Sequence, residues 1–123
     1  MGYESRIYIV EKHELYDEEI KKRFATEIAK FDLGKCYFLS DCLRACPITD
    51  CYIYADDGNT RIATDKYEEE LTEATLQAVI SILEKAISNG ENYRKIFPLL
   101  ATLNSLEEHK HQWGELAILH FGY

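Results

Sequence analysis

The sequence predicts an α+β fold, a four- or five-stranded sheet with helices packed on one face, and three observations lead there. Runs of β-branched and aromatic residues stand near both ends of the chain, Arg6-Ile7-Tyr8-Ile9-Val10 and Leu116-Ala117-Ile118-Leu119-His120-Phe121. Between them, several stretches repeat apolar residues at helical spacing. In the middle, Asp50 to Asn59 alternates and then turns. The predicted order is β-α-(α or β)-β-β-α-α-β, which packs helices against a sheet. With 123 residues, 46% hydrophobic and 29% charged, the chain suits one globular domain over 1–123.

Each element has its own signal. From Tyr16 to Phe31, Ile20, Phe24, Ile28 and Phe31 recur at helical spacing. Asp17, Glu18 and Glu19 stand where carboxylates favour a helix start, and Asp32-Leu33-Gly34 offers a stop. This predicts a helix. Lys35 to Cys46 reads two ways: Cys36, Phe38 and Leu39 suit a strand, while Leu39, Cys42, Leu43 and Cys46 would line a helix face. Pro47 ends either. A long helix is predicted from the stripe Leu76, Val79, Ile80, Leu83 and Ile87, with Glu68, Glu69, Glu70 and Glu73 at its start and Asn89-Gly90 at its close. Leu99, Leu100, Leu103 and Leu106 predict another between Tyr93 and Glu108, which Pro98 either opens or kinks. The two terminal runs are too apolar for an edge ribbon and are expected in one sheet.

Asp57-Gly58 suits a type I′ hairpin turn over roughly Cys51 to Thr64, which needs positive φ at both central residues. The pairing then sets Asp56 against Asn59, Tyr54 against Arg61 and Ile53 against Ile62. One face becomes apolar, and the other carries tyrosines and carboxylates.

The net charge is −8. Direct nucleic-acid binding requires clustered Lys and Arg, so it is not expected; docking on a basic partner is compatible with this charge. No apolar run approaches the ~18 residues of a membrane span. Met1-Gly2-Tyr3-Glu4 leads straight into strand-like sequence with no secretory leader, and Arg6 stands where a myristoylation motif wants Ser or Thr. The expectation is a cytoplasmic protein without membrane attachment.

Cys36, Cys42, Cys46 and Cys51 have the spacing C-x5-C-x3-C-x4-C. Tight ligand pairs are missing, so the cysteines read as small core residues, as a zinc module or metal-dependent enzyme, or as a disulfide, which a reducing compartment disfavours. His109 and His111, with His120 and the carboxylates of Glu107, Glu108 and Glu115, form a second candidate set; imidazoles also suit a helix C-terminus. Nucleophile-elbow, phosphate-loop and calcium-loop signatures are not present, and no catalytic residue, metal ligand or cofactor is assigned.

The carboxylates matter more as a surface. Asp56 and Asp57 at the hairpin tip, with Glu68, Glu69 and Glu70 shortly after, are interspersed with Tyr52, Tyr54 and Tyr67. These eight are the candidate partner-binding residues, since tyrosines are favoured at interfaces. A further acidic group is Glu11, Glu14, Asp17, Glu18 and Glu19. The alternative for both groups is a solvated face. A homodimer is also open, through an exposed helix or through a sheet edge formed by the C-terminal strand and paired with a second copy.

Three blocks, Met1 to Lys12, Asp50 to Asn59 and Trp113 to Tyr123, resemble small, largely uncharacterised proteins of bacteriophages and prophages of Gram-positive bacteria. That resemblance implies a mobile-element origin. Small acidic phage proteins include anti-CRISPR inhibitors that occupy the basic nucleic-acid channel of an effector. The functional expectation is therefore a non-enzymatic, phage-borne protein that inhibits a host nucleic-acid-handling protein through an acidic surface.

Overall fold

A computed structural model describes residues 4–123; the segment Met1 to Tyr3, where the absence of a leader and part of the phage-like block were read, lies outside the described residues. The elements are β1 (Ser5–Asp17), β2 (Lys22–Gly34), α1 (Tyr37–Arg44), β3 (Cys51–Tyr54), β4 (Arg61–Ile62), β5 (Thr72–Ala74), α2 (Leu76–Ser88), α3 (Ile96–Glu108) and β6 (Glu115–Gly122). Six strands form one curled sheet in the order β4-β3-β2-β1-β6-β5, antiparallel except for the β2–β3 pair. The α+β class holds, and the strand count is one or two higher than expected.

β1 is buried on both sides. Ile7 and Ile9 face the helices with Leu33, Leu39, Leu43, Val79, Leu83, Leu99, Leu103 and Ile118. Tyr8 and Val10 face a second core with Ala25, Cys51, Ile53, Leu71, Ala117 and Leu119, which the sheet encloses by curling on itself. Both terminal runs belong to the same sheet, because β1 pairs with β6 from Ser5↔Gly122 to Lys12↔Glu115. β6 is flanked on its other side by β5, so the C-terminal strand is interior. The C-terminal strand therefore does not form the outermost strand of the sheet that the sequence suggests, since β5 pairs with it at Ile118 to His120.

The predicted helix from Tyr16 to Phe31 is instead a turn and a long strand. Asp17 Oδ1 accepts from the amides of Glu19 and Ile20, and Lys21 N–H donates to Asp17 O, which makes one helical turn. Lys21 then adopts φ 63° and reverses the chain into β2. The register with β1 passes from Ile9↔Ala29 to Val10↔Glu27, leaving Ile28 as a bulge. Two period-two series, Phe24-Thr26-Ile28 and Ala29-Phe31-Leu33, are offset by that bulge. Their sum mimics a helical stripe.

The remaining helices follow their apolar stripes. In α1, Leu39 and Leu43 are buried, and Thr75 caps α2 by accepting from the Ala78 amide. The acids Glu68, Glu69, Glu70 and Glu73 therefore do not open α2; Glu73 lies in β5, a strand missed because a run of carboxylates masks its short apolar content. Gly90 at φ 92° follows the α2 C-cap, and Pro98 sits in the first turn of α3. Among the described residues, no helix is long and apolar enough to cross a membrane.

Two outcomes are expected. Deleting Leu116 to Tyr123 removes fully buried Ile118 and Leu119, about 3–6 kcal/mol of burial, against a typical domain stability of about 5–15 kcal/mol. The truncated chain should show no cooperative thermal unfolding, and a wild-type melting temperature would make β6 an appendage. Lys21→Gly should raise the free energy of unfolding by about 0.5–1 kcal/mol in denaturant titration, because glycine adopts positive φ without a Cβ clash.

Candidate functional site

The β3–β4 hairpin has the expected register, Ile53↔Ile62 and Tyr54↔Arg61. Its turn is of a different kind. Gly58 has φ 74° but Asp57 is not at positive φ, so the turn is not type I′. A four-residue loop, Asp56 to Asn59, spans the Ala55 N–H···O Thr60 bond. Asp57 holds this loop by accepting from the amides of Asn59 and Thr60 and from the Thr60 hydroxyl. The Thr60 amide, then its hydroxyl, hold the Asp57 carboxyl down to about 2. Asp57 is thus the residue that shapes the tip, and Asp56 is the carboxylate left to present, its side chain 83% exposed and paired to Lys30 at 3.1 Å.

The hairpin faces divide as expected. Cys51, Ile53 and Ile62 enter the second core. Tyr52 and Tyr54 lie on the other face, yet Tyr52 is only 4% exposed and Tyr54 39%. Tyr52 is a support for Tyr54, with ring centroids 5.7 Å apart, and not a contact surface itself. Phe24 packs against both, at 5.8 Å from Tyr52 and 5.5 Å from Tyr54, and stacks on His13 at 5.4 Å. Neither Phe24 nor His13 is legible in the sequence as a site residue, because Phe24 falls on the apolar stripe that predicts a helix there.

β3 pairs with β2 only through Arg23 and Phe24. Beyond Phe24 the hairpin diverges and leaves a depression of about 220 Å³ lined by Phe24, Thr26, Glu27, Tyr54 and Asp56. Lys30, in the adjoining depression, bonds Asp56, and Glu27 adds to the field that holds its ammonium above the ordinary value.

Tyr67, Glu68, Glu69 and Glu70 stand elsewhere. Asp65 accepts from the amides of Tyr67 and Glu69, and Glu68 takes φ 62°, forming a tight loop between β4 and β5. Glu69 and Glu70 line a separate depression of about 380 Å³ with Asp41, Arg44, Asp65, Thr72 and His120. Glu70 is paired to Lys22 at 3.4 Å. The candidate residues thus form two sites in place of one surface.

The cysteines do not converge. Among the described residues, the one grouping of potential metal ligands is Asp50, Cys51 and Glu73, and the Lys12 ammonium already lies within it. Lys12 Nζ is 2.9 Å from Asp50, 3.0 Å from Glu73 and 3.3 Å from Glu115. Against the downward pull of burial, hydrogen bonds to Asp50 and Glu73 hold this ammonium above its ordinary value. Burial, then the neighbouring Asp50, push the Cys51 thiol up to about 12, away from the thiolate a metal takes. His109 and His111 are exposed after α3 with rings 6.4 Å apart. His120 is apart from them, buried in β6, its Nε2 2.9 Å from Ser5 Oγ.

Comparison of the chain with family models, with curated proteins and with solved structures yields no match.

The His120 environment sets a pH dependence. Burial lowers its pKa from 6.5 to about 4, so the unfolded chain binds the proton more readily. The contribution is complete above pH 6.5 and is lost as pH falls towards 4, a difference of about 3 kcal/mol. Denaturant titrations across this window should show wild type losing about that much more stability than His120→Gln, which does not titrate. Parallel profiles would mean that His120 is not coupled to folding.

Proposed function

We propose that this chain is a non-enzymatic binding protein whose hairpin face docks on a basic surface of a partner protein. The observation that carries this reading is the depression where Phe24 and Tyr54, two rings left outside both hydrophobic cores, are rimmed by Glu27 and Asp56. Aromatic rings at a polar rim supply packing area, and carboxylates supply electrostatic complementarity and a faster encounter. The net charge of −8 acts in the same direction over longer range. The partner class we propose is a host nucleic-acid-handling protein, such as a CRISPR effector, inhibited in the host cytoplasm by a phage-borne protein. The sequence resemblance and the charge support that choice. The Glu68 to Glu70 loop adds a second, acidic flank in this reading.

Lysate of a Gram-positive phage host, passed over immobilised protein and read by mass spectrometry, tests the proposal. Wild type should retain a basic nucleic-acid-binding protein in a salt-sensitive manner. The Glu27→Lys/Asp56→Lys variant should retain it about tenfold less, while Glu68→Lys/Glu69→Lys should have the smaller effect. Asp57 is left intact because it holds the loop. Equal retention by the hairpin variant and wild type would overturn the assignment of this face.

A further inference from the structure

We infer that the hairpin depression is a pocket for an arginine side chain of the partner, an inference that rests on the binding reading above and names the group recognised. A guanidinium combines a flat cationic face, which stacks on aromatic rings, with an edge that bonds carboxylates bidentately. The depression offers both surfaces together. Phe24 and Tyr54, 5.5 Å apart and tilted by 55°, form two of its walls. Glu27 and Asp56 stand at its rim; Lys30, which lines the adjoining depression with the Asp32-paired Arg6, bonds Asp56 and lies in the field of Glu27. A second positive charge is therefore electrostatically accommodated. His13 stacks on Phe24 and Tyr52 packs edge-on against Tyr54, contacts that pre-order the two rings and lower the entropic cost of binding.

The same chain builds this arrangement internally. The Arg6 guanidinium lies 4.7 Å from the Tyr123 ring centroid and 5.8 Å from that of Phe121, with Asp32 ion-paired at its edge. Two rings and a carboxylate thus hold an arginine of the chain at one place. Exposed Tyr54, half-buried Phe24 and two exposed carboxylates stand together at another. Lysine fits the second place less well, because its compact ammonium is more strongly hydrated and has no flat face to lay on Tyr54.

The test uses the full chain and two capped peptides of equal length and charge, one alternating glycine with arginine and one alternating glycine with lysine. Amide and ring-proton shifts are followed by NMR titration at low salt. The arginine peptide should bind about fivefold more tightly than the lysine peptide, with shifts centred on Phe24, Glu27, Tyr54 and Asp56. Tyr54→Ala should bring the ratio to one while the lysine peptide binds as before, and Tyr54→Phe, which keeps the ring, should preserve the preference. Thermal melts of both variants separate a lost pocket from a lost fold. Equal affinities for the two peptides, with charge reversal at Glu27 and Asp56 still weakening both, would overturn the arginine pocket and leave the acidic docking face standing. If neither peptide binds, both the pocket and the acidic face fall.

Discussion

The structure depends on a strand that is apolar on both faces. Ile7, Tyr8, Ile9 and Val10 are each no more than 4% exposed, and successive side chains of a strand point to opposite sides. Both faces of the sheet must then be covered at its centre. Helices α1, α2 and α3 cover the Ile7/Ile9 face, and the sheet covers the Tyr8/Val10 face by curling until Ile53, Leu71 and Leu119 close over it. The curl follows from this double burial, since the helices α1, α2 and α3 all pack on the Ile7/Ile9 side.

Where β1 leaves the core, its next inward residue on the second face is Lys12. The ammonium there binds Asp50 at the approach to β3, Glu73 in β5 and Glu115 at the start of β6. Three segments far apart in the chain are tied to one strand by a single cation, at the open end of the curl. Arg23 extends the network, binding Asp50 at 2.9 Å as well as Glu14 and Glu115. Burial pulls the Asp50 carboxyl up, and the hydrogen bonds from Lys12 and Arg23 outweigh it and hold it below the carboxylate range. An ion network of this kind specifies which strand ends meet, because removing one partner leaves like charges facing one another. It also occupies the grouping that otherwise looks most like a metal centre.

The candidate site was legible only in part, and the unread part has a definite cause. The hairpin register came from alternation and Asp57-Gly58, both local signals, and it held although the turn type did not. Tyr54 and Asp56 kept their places. Phe24 was invisible as a partner of Tyr54, because the bulge at Ile28 joins two strand registers into a pattern with a helical period. Asp57 and Tyr52 changed role, the first into a turn ligand and the second into a ring support. These assignments need neighbours that are distant in sequence, such as the Phe24 ring under Tyr54.

The strongly patterned elements follow from local residues alone: the apolar terminal strands, the stripes of α2 and α3, the α2 close at Asn89-Gly90 and the β3–β4 pairing. In each, the deciding interactions lie within a few residues or within one repeating face. Tertiary structure decided that Lys22–Gly34 is a strand, that β5 exists and that the acidic residues divide between two depressions. Ten residues of β1 pair with β2, and their ladder outweighs a helical propensity that the β2 side chains would otherwise express. Backbone pairing across the sheet is a long-range term, and no window along the chain contains it.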